Sequence, residues 1–161
     1  MFYANPMICG DEPRLLILGT FPSAESRLRR EYYGNPRNQF WRIIFDVFGV
    51  PFHAPDYKAK KRVLIENRVA LWDTVASCET DGSLDSAIQN PVYNTGIPEF
   101  VRENGIELLL FNGGNAFTFY QRGNGKPGAH VVLPSTSPAN ARMRYGEKLE
   151  RWERALKGSA P

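Results

Sequence analysis

The sequence predicts an α/β chain with a four-stranded parallel sheet and helices on both of its faces. Three observations lead there. Four short apolar runs read as strands, and those at 14–19 and 106–112 are continuous rather than alternating, as in strands buried on both faces. Segments with helical apolar spacing lie between them. Each run ends in a loop of Gly, Pro, Ser, Thr or Asn, and right-handed crossovers place all four of these loops on one rim. At 161 residues, one domain over 1–161 is the simplest organisation.

Residues 1–13 read as irregular, punctuated by Pro6 and Pro13. Arg14–Gly19 is the first strand, leaving through Gly19-Thr20-Phe21-Pro22-Ser23. A charged segment, 24–33, ends in Tyr32-Tyr33. Gly34, Asn35 and Pro36 set a turn, since Gly and Asn tolerate positive φ and Pro fixes its own. A helix follows, with Phe40, Ile43, Ile44, Val47 and Phe48 on one face; Gly49 and Pro51 stop it. Residues 58–68 form a basic amphipathic helix, and Val69–Ala76 reads as a second strand that carries Asp73. Residues 77–96 read as loop, with one or two helical turns at 83–88 and a break at Asn90-Pro91. A short helix, 98–104, stops at Gly105; strand three is 106–112, leaving through Gly113-Gly114. Then come a helix at 115–122, a turn at 123–128 and strand four at 129–133, which runs into Pro134-Ser135-Thr136-Ser137-Pro138-Ala139-Asn140. A last helix, 142–157, carries Tyr145, Leu149, Trp152 and Leu156 on its apolar face.

Composition excludes several classes. The chain is 42% hydrophobic and 23% charged, and no apolar run approaches the ~20 residues needed to span a bilayer. The N-terminus lacks the basic and apolar regions of a secretory signal. Cys9 and Cys78 match no zinc or iron–sulfur spacing, and two histidines, His53 and His130, do not make a cluster. The expectation is a reduced, cytoplasmic protein with no metal and no membrane partner, taken as a monomer. The net charge of +3 is modest, but Arg27, Arg29, Arg30, Arg37 and Arg42 cluster near the turn at Gly34.

Ligand sites in such folds collect beyond the carboxyl ends of the strands. The rim here contains no Gly-x-Gly-x-x-Gly or phosphate-loop motif and no Ser–His–Asp arrangement. It offers instead Asn carboxamides, which match a base edge, Phe21 or Phe40 to stack on a ring, and Ser/Thr hydroxyls for phosphates. Those groups suit a flat polar heterocycle on a phosphate backbone. Asn38 also reads as a helix cap, Asn112 as a partner for loop N–H groups, and Asp73 as a cap, a structural acceptor or a catalytic carboxylate.

The order strand-GTFPS, YYGNPRNQFW, strand-WD, strand-FNG and LPSTSPANA resembles the uracil-DNA glycosylase superfamily, and most of all its hypoxanthine-DNA glycosylase (DNA-deoxyinosine glycosylase) branch. The resemblance runs from about Leu15 to Arg154. It implies a three-layer αβα sandwich that flips a deaminated base from DNA and hydrolyses its N-glycosidic bond without a cofactor. In much of the superfamily, the loop after strand one carries an Asp or Asn that positions water; here Phe21 stands there. The resemblance moves that role to Asn38, with Asn35 as rival. It assigns Phe40 to stacking, with Phe21, Ser23 and Asn112 also at the base. Ser135, Thr136, Ser137, Pro138, Ala139 and Arg142 fall to DNA. Uracil- or thymine-mismatch glycosylase activity on the same fold, or a nucleic-acid-binding domain without chemistry, are the alternatives.

An Asn carboxamide orients water but takes no proton near neutrality. The expected transition state is therefore advanced in C–N cleavage, with charge leaving on the base. No lysine matches a nucleophile, so the expected product is an abasic site in an uncut strand.

Overall fold

The computed structural model describes residues 1–158; residues 159–161, the end of the expected domain, lie outside it. Its centre is a parallel sheet of β2 (Leu15–Gly19), β3 (Val69–Asp73), β6 (Leu108–Asn112) and β7 (His130–Leu133), in the order β3-β2-β6-β7. Among the described residues six α-helices accompany it: α1 (Ala24–Arg29), α2 (Phe40–Val47), α3 (Tyr57–Glu66), α4 (Ile97–Asn104), α5 (Gly114–Asn124) and α6 (Tyr145–Leu156).

Alternation along the strands explains why the runs are apolar throughout. Leu15 and Ile17 face α2, α3 and α6 through Phe40, Ile44, Leu64 and Trp152. Leu16 and Leu18 face α4 and α5 through Ile97, Ala116 and Tyr120. Both faces are covered, so neither parity tolerates a polar side chain. The result is the three-layer αβα sandwich expected.

Several expectations are corrected. The run Val69–Ala76 is not one strand: the chain leaves the parallel sheet at Thr74, and Val75–Glu79 forms β4 of a second sheet. That sheet is antiparallel, β1-β4-β5, with β1 at Phe2–Tyr3 and β5 at Gln89–Tyr93. The stretch 77–96 is thus largely strand, with a 3-10 turn at Asp85–Ala87. β5 hides in the sequence because it is polar and contains Pro91, which only an edge strand tolerates. The last helix begins at Tyr145, not 142, and α1 orders part of the segment read as merely charged.

Candidate active site

Register builds the floor of the site. Gly19 pairs with Asp73 across β2 and β3, and Asn112 pairs with Leu133 across β6 and β7. Three polar or small positions therefore meet at the carboxyl ends of adjacent strands. Gly19 must lack a side chain: a Cβ there would lie 2.7 Å from Asp73 Oδ1 and 2.7 Å from the Tyr33 hydroxyl. Asp73 is buried, and its Oδ2 has no hydrogen-bond partner.

The turn at Gly34 forms one wall. Asn38 N–H donates to Asn35 O at 2.9 Å, closing the turn around Pro36. Asn35 Oδ1 accepts from Arg37 N–H, and Asn38 Oδ1 accepts from Phe40 N–H, both at 2.9 Å. Asn38 thus caps the start of α2, leaving its Nδ2 as the free end of the carboxamide.

The loop after β7 forms the other wall, and the two walls touch. Gln39 N–H donates to Thr136 O at 3.1 Å. Thr136 N–H donates to Asn112 Oδ1, and Asn112 Nδ2 donates to Thr136 Oγ1, each at 3.0 Å. From α6, Lys148 Nζ donates to Gln39 Oε1 at 3.0 Å and to Asn140 O at 2.7 Å. A buried ammonium therefore joins the walls from behind, and its burial lowers its pKa.

Tyr33 closes the space between them. It sits at φ +53°, in the left-handed region, immediately before Gly34. Its ring lies over Phe40, and its hydroxyl accepts from Asn112 Nδ2 at 3.0 Å. Beyond Gly19, the hydroxyl of Thr20 donates to Asp85 Oδ2 at 3.1 Å, bringing a carboxylate from the β4–β5 connection to the same rim.

The electrostatics follow from burial. Burial, with the Asp85 carboxylate nearby, pushes Asp73 up to about 8. Burial also raises Asp85, but hydrogen bonds from Thr20 and Asn115 oppose that shift. Burial raises the Tyr33 phenol, and the Asp73 charge adds to the effect.

The sequence-assigned residues divide accordingly. Asn35, Asn38 and Asn112 converge on this rim. Four assignments meet other uses of the side chain. Phe40 is fully buried in the core, with Trp41 and Trp152 against it and Tyr33 over its ring. Phe21 turns toward the second sheet and packs on Val75, Cys78 and Phe119. Ser23 Oγ caps α1 by accepting from Ser26 N–H at 3.3 Å. Thr136 is buried as the hinge of the loop and presents no surface to DNA. Ser135 and Ser137 accept from Ser137 N–H and Ala139 N–H, bracing the turn that holds Pro138 and exposed Ala139; Arg142 is exposed beyond it.

Sequence reasoning missed Tyr33, Asp85 and Lys148. Lys148 had a readable signal: it sits three after Tyr145 and four before Trp152, on the apolar stripe of α6. Asp85 had none, because its partner is sixty-five residues away in sequence.

A model of the uracil DNA glycosylase superfamily matches residues 6–157. A hypoxanthine DNA glycosylase of Methanosarcina acetivorans is 35% identical over 150 residues, covering 92% of this chain and 93% of that one. Its namesake from Methanosarcina barkeri is 28% identical over 153 residues, covering 94% and 96%. The solution NMR structure of a candidate uracil DNA glycosylase from Methanosarcina acetivorans superposes with a TM-score of 0.79 at 34% identity, over 97% of this chain and 96% of that one. With the family match spanning nearly the whole chain and a relative 35% identical over nine-tenths of it, the chain belongs to the uracil-DNA glycosylase superfamily.

Proposed function

We infer that the protein is a DNA-repair glycosylase that removes deaminated bases, with hypoxanthine its main substrate. One observation carries this beyond family membership: the carboxamide turn at 34–39 and the hydroxyl loop at 134–140 are bonded to each other above the ends of β2, β3 and β6. Names of relatives similar over nine-tenths of the chain point to the same base.

The flipped base takes the place held by Tyr33. It stacks on Phe40, and the Asn112 Nδ2 hydrogen released by the phenol meets a base carbonyl. Hypoxanthine formed from adenine is left mismatched with thymine, so its extrusion costs less than that of a paired base. Asn38 positions the water. Ser135, Ser137, Pro138 and Ala139 follow the strand, while Arg37 and Arg142 supply the field that draws phosphate. Lys148 is engaged with Gln39 and Asn140 and is no nucleophile, so the strand is left uncut. The protein works as a single-domain monomer in the cytoplasm; among the described residues, no helix is long and apolar enough to cross a membrane.

The test is incubation with labelled duplexes carrying one deoxyinosine, deoxyuridine or deoxyxanthosine, followed by alkali. Cleavage at deoxyinosine only after alkali is expected. Tight binding with no cleavage at any of the three overturns the reading, and cleavage at deoxyuridine alone moves the substrate to uracil.

A further inference from the structure

Hydrolysis of the glycosidic bond must remove a proton from water, and Asn38 cannot take it. Its carboxamide oxygen is also bound to Phe40 N–H. Phe21 brings no acceptor to the rim. The rim does hold two carboxyl groups that no step above uses. Asp73 Oδ1 lies against Gly19, and Asp85 Oδ2 receives the hydroxyl of Thr20, so the pair straddles two consecutive residues where β2 ends. Their surroundings differ. Asp73 is buried with Oδ2 unpartnered, whereas Asp85 is partly exposed and receives the hydroxyl of Thr20. Two neighbouring carboxyls in unequal settings divide one proton: the less buried, hydrogen-bonded group keeps the charge and the fully buried one keeps the proton.

We propose that Asp85 is the catalytic base and Asp73 the catalytic acid of the glycosylase reaction. This rests on the function proposed above. The bond between C1′ of the deoxyribose and the base nitrogen breaks, and its electron pair leaves with the base. Water bonds through oxygen to C1′ and gives its proton to the Asp85 carboxylate. The Asp73 carboxyl gives its proton to the departing purine at N7, so the base leaves neutral. Return of the proton from Asp85 to Asp73 restores the pair. Tyr33 meets Asp73 at Gly19 and Thr20 meets Asp85; the other titratable groups whose charge acts on the pair are Tyr32 before α2 and Tyr57 on α3. None is cationic, and among the described residues neither carboxyl takes part in a salt bridge.

Single-turnover rates across pH on a deoxyinosine duplex test this. The wild type should give a bell-shaped profile. Asp85→Asn should lower the rate by about 100-fold or more. Asp73→Asn should lower it and abolish the alkaline limb. Thr20→Val removes a hydrogen bond that favours the Asp85 charge, so it should move the acid limb to higher pH, which a purely structural Asp85 would not do. Circular dichroism checks that each variant is folded. A folded Asp85→Asn enzyme within threefold of wild type, or an acid limb that Thr20→Val leaves in place, overturns the pair while the wild-type activity stands. A wild type inactive on every deaminated base overturns the proposed function and the pair together.

Discussion

The ring of Tyr33 lies 4.2 Å from that of Phe40, centroid to centroid, and tilted by 32°, so the aromatic expected to stack on a base already carries another aromatic. The same tyrosine puts its hydroxyl where Asn112 would meet a base edge. Tyr33 therefore makes the two contacts a flipped purine would make, and the purine must displace it.

Tyr33→Phe separates those contacts. It keeps the stacked ring but leaves one hydrogen of Asn112 Nδ2 without its acceptor. The unpaired donor should lower stability by about 1–3 kcal/mol, read as a drop in the urea midpoint. Base entry then no longer has to break that hydrogen bond, so affinity for deoxyinosine DNA should rise severalfold. Unchanged affinity with lowered stability would show that the phenol does not compete with the base.

Asn38 has two duties, and two variants divide them. Asn38→Ala loses both the cap on Phe40 N–H and the water-holding amide. It should lose about 1 kcal/mol of stability and lower kcat by about 100-fold. Asn38→Asp keeps a capping oxygen and puts negative charge at a helix N-terminus, so its stability should match or exceed that of the wild type. Equal melting temperatures for the Ala and Asp variants would sink the capping assignment, and undiminished turnover in Asn38→Ala the catalytic one.

Much of this was legible in the sequence, for a physical reason. Leu15–Gly19 and Leu108–Asn112 are buried on both faces along nearly their whole length, so burial is written into almost every residue, and their exits mark the rim. The turn at Asn35-Pro36 is local chemistry and reads locally. The strands of the second sheet do not read, because their pairing is long-range: Phe2 meets Cys78 and Val75 meets Tyr93. Tyr33 and Asp85 were missed for the same cause. A tyrosine beside Gly34 looks like any loop aromatic until Phe40 and Asn112 are seen around it. Asp85 acquires meaning only once the register brings Thr20 to it.

Asp73 predicts a pH dependence of stability that needs no substrate. Its carboxyl pKa is raised to about 8 in the folded protein, above the ordinary carboxylate value it has when unfolded. A raised folded pKa means that the folded state binds the proton more tightly. The resulting stabilisation is full below about pH 4 and is lost as pH rises through 8. Asp73→Asn cannot ionise and escapes that loss. Relative to wild type, its unfolding free energy should be about unchanged at pH 4 and should gain by up to a few kcal/mol at pH 8. A constant difference across that range would show that Asp73 is ionised in the fold.

The DNA path is read from salt. Arg37 stands on the turn wall and Arg142 beyond the hydroxyl loop, both exposed, and among the described residues neither takes part in a salt bridge. A cation with no acidic partner is free to replace a counterion on phosphate, and each replacement steepens the fall of log K with log salt by about 0.9. Arg37→Ala and Arg142→Ala should each flatten that slope by about one and weaken all duplexes alike, damaged or not. Because the two arginines flank opposite walls, the double variant should flatten it by about two. A slope unchanged in Arg142→Ala would take the strand away from the loop after β7; a loss confined to deoxyinosine DNA would make the arginine a reader of the base.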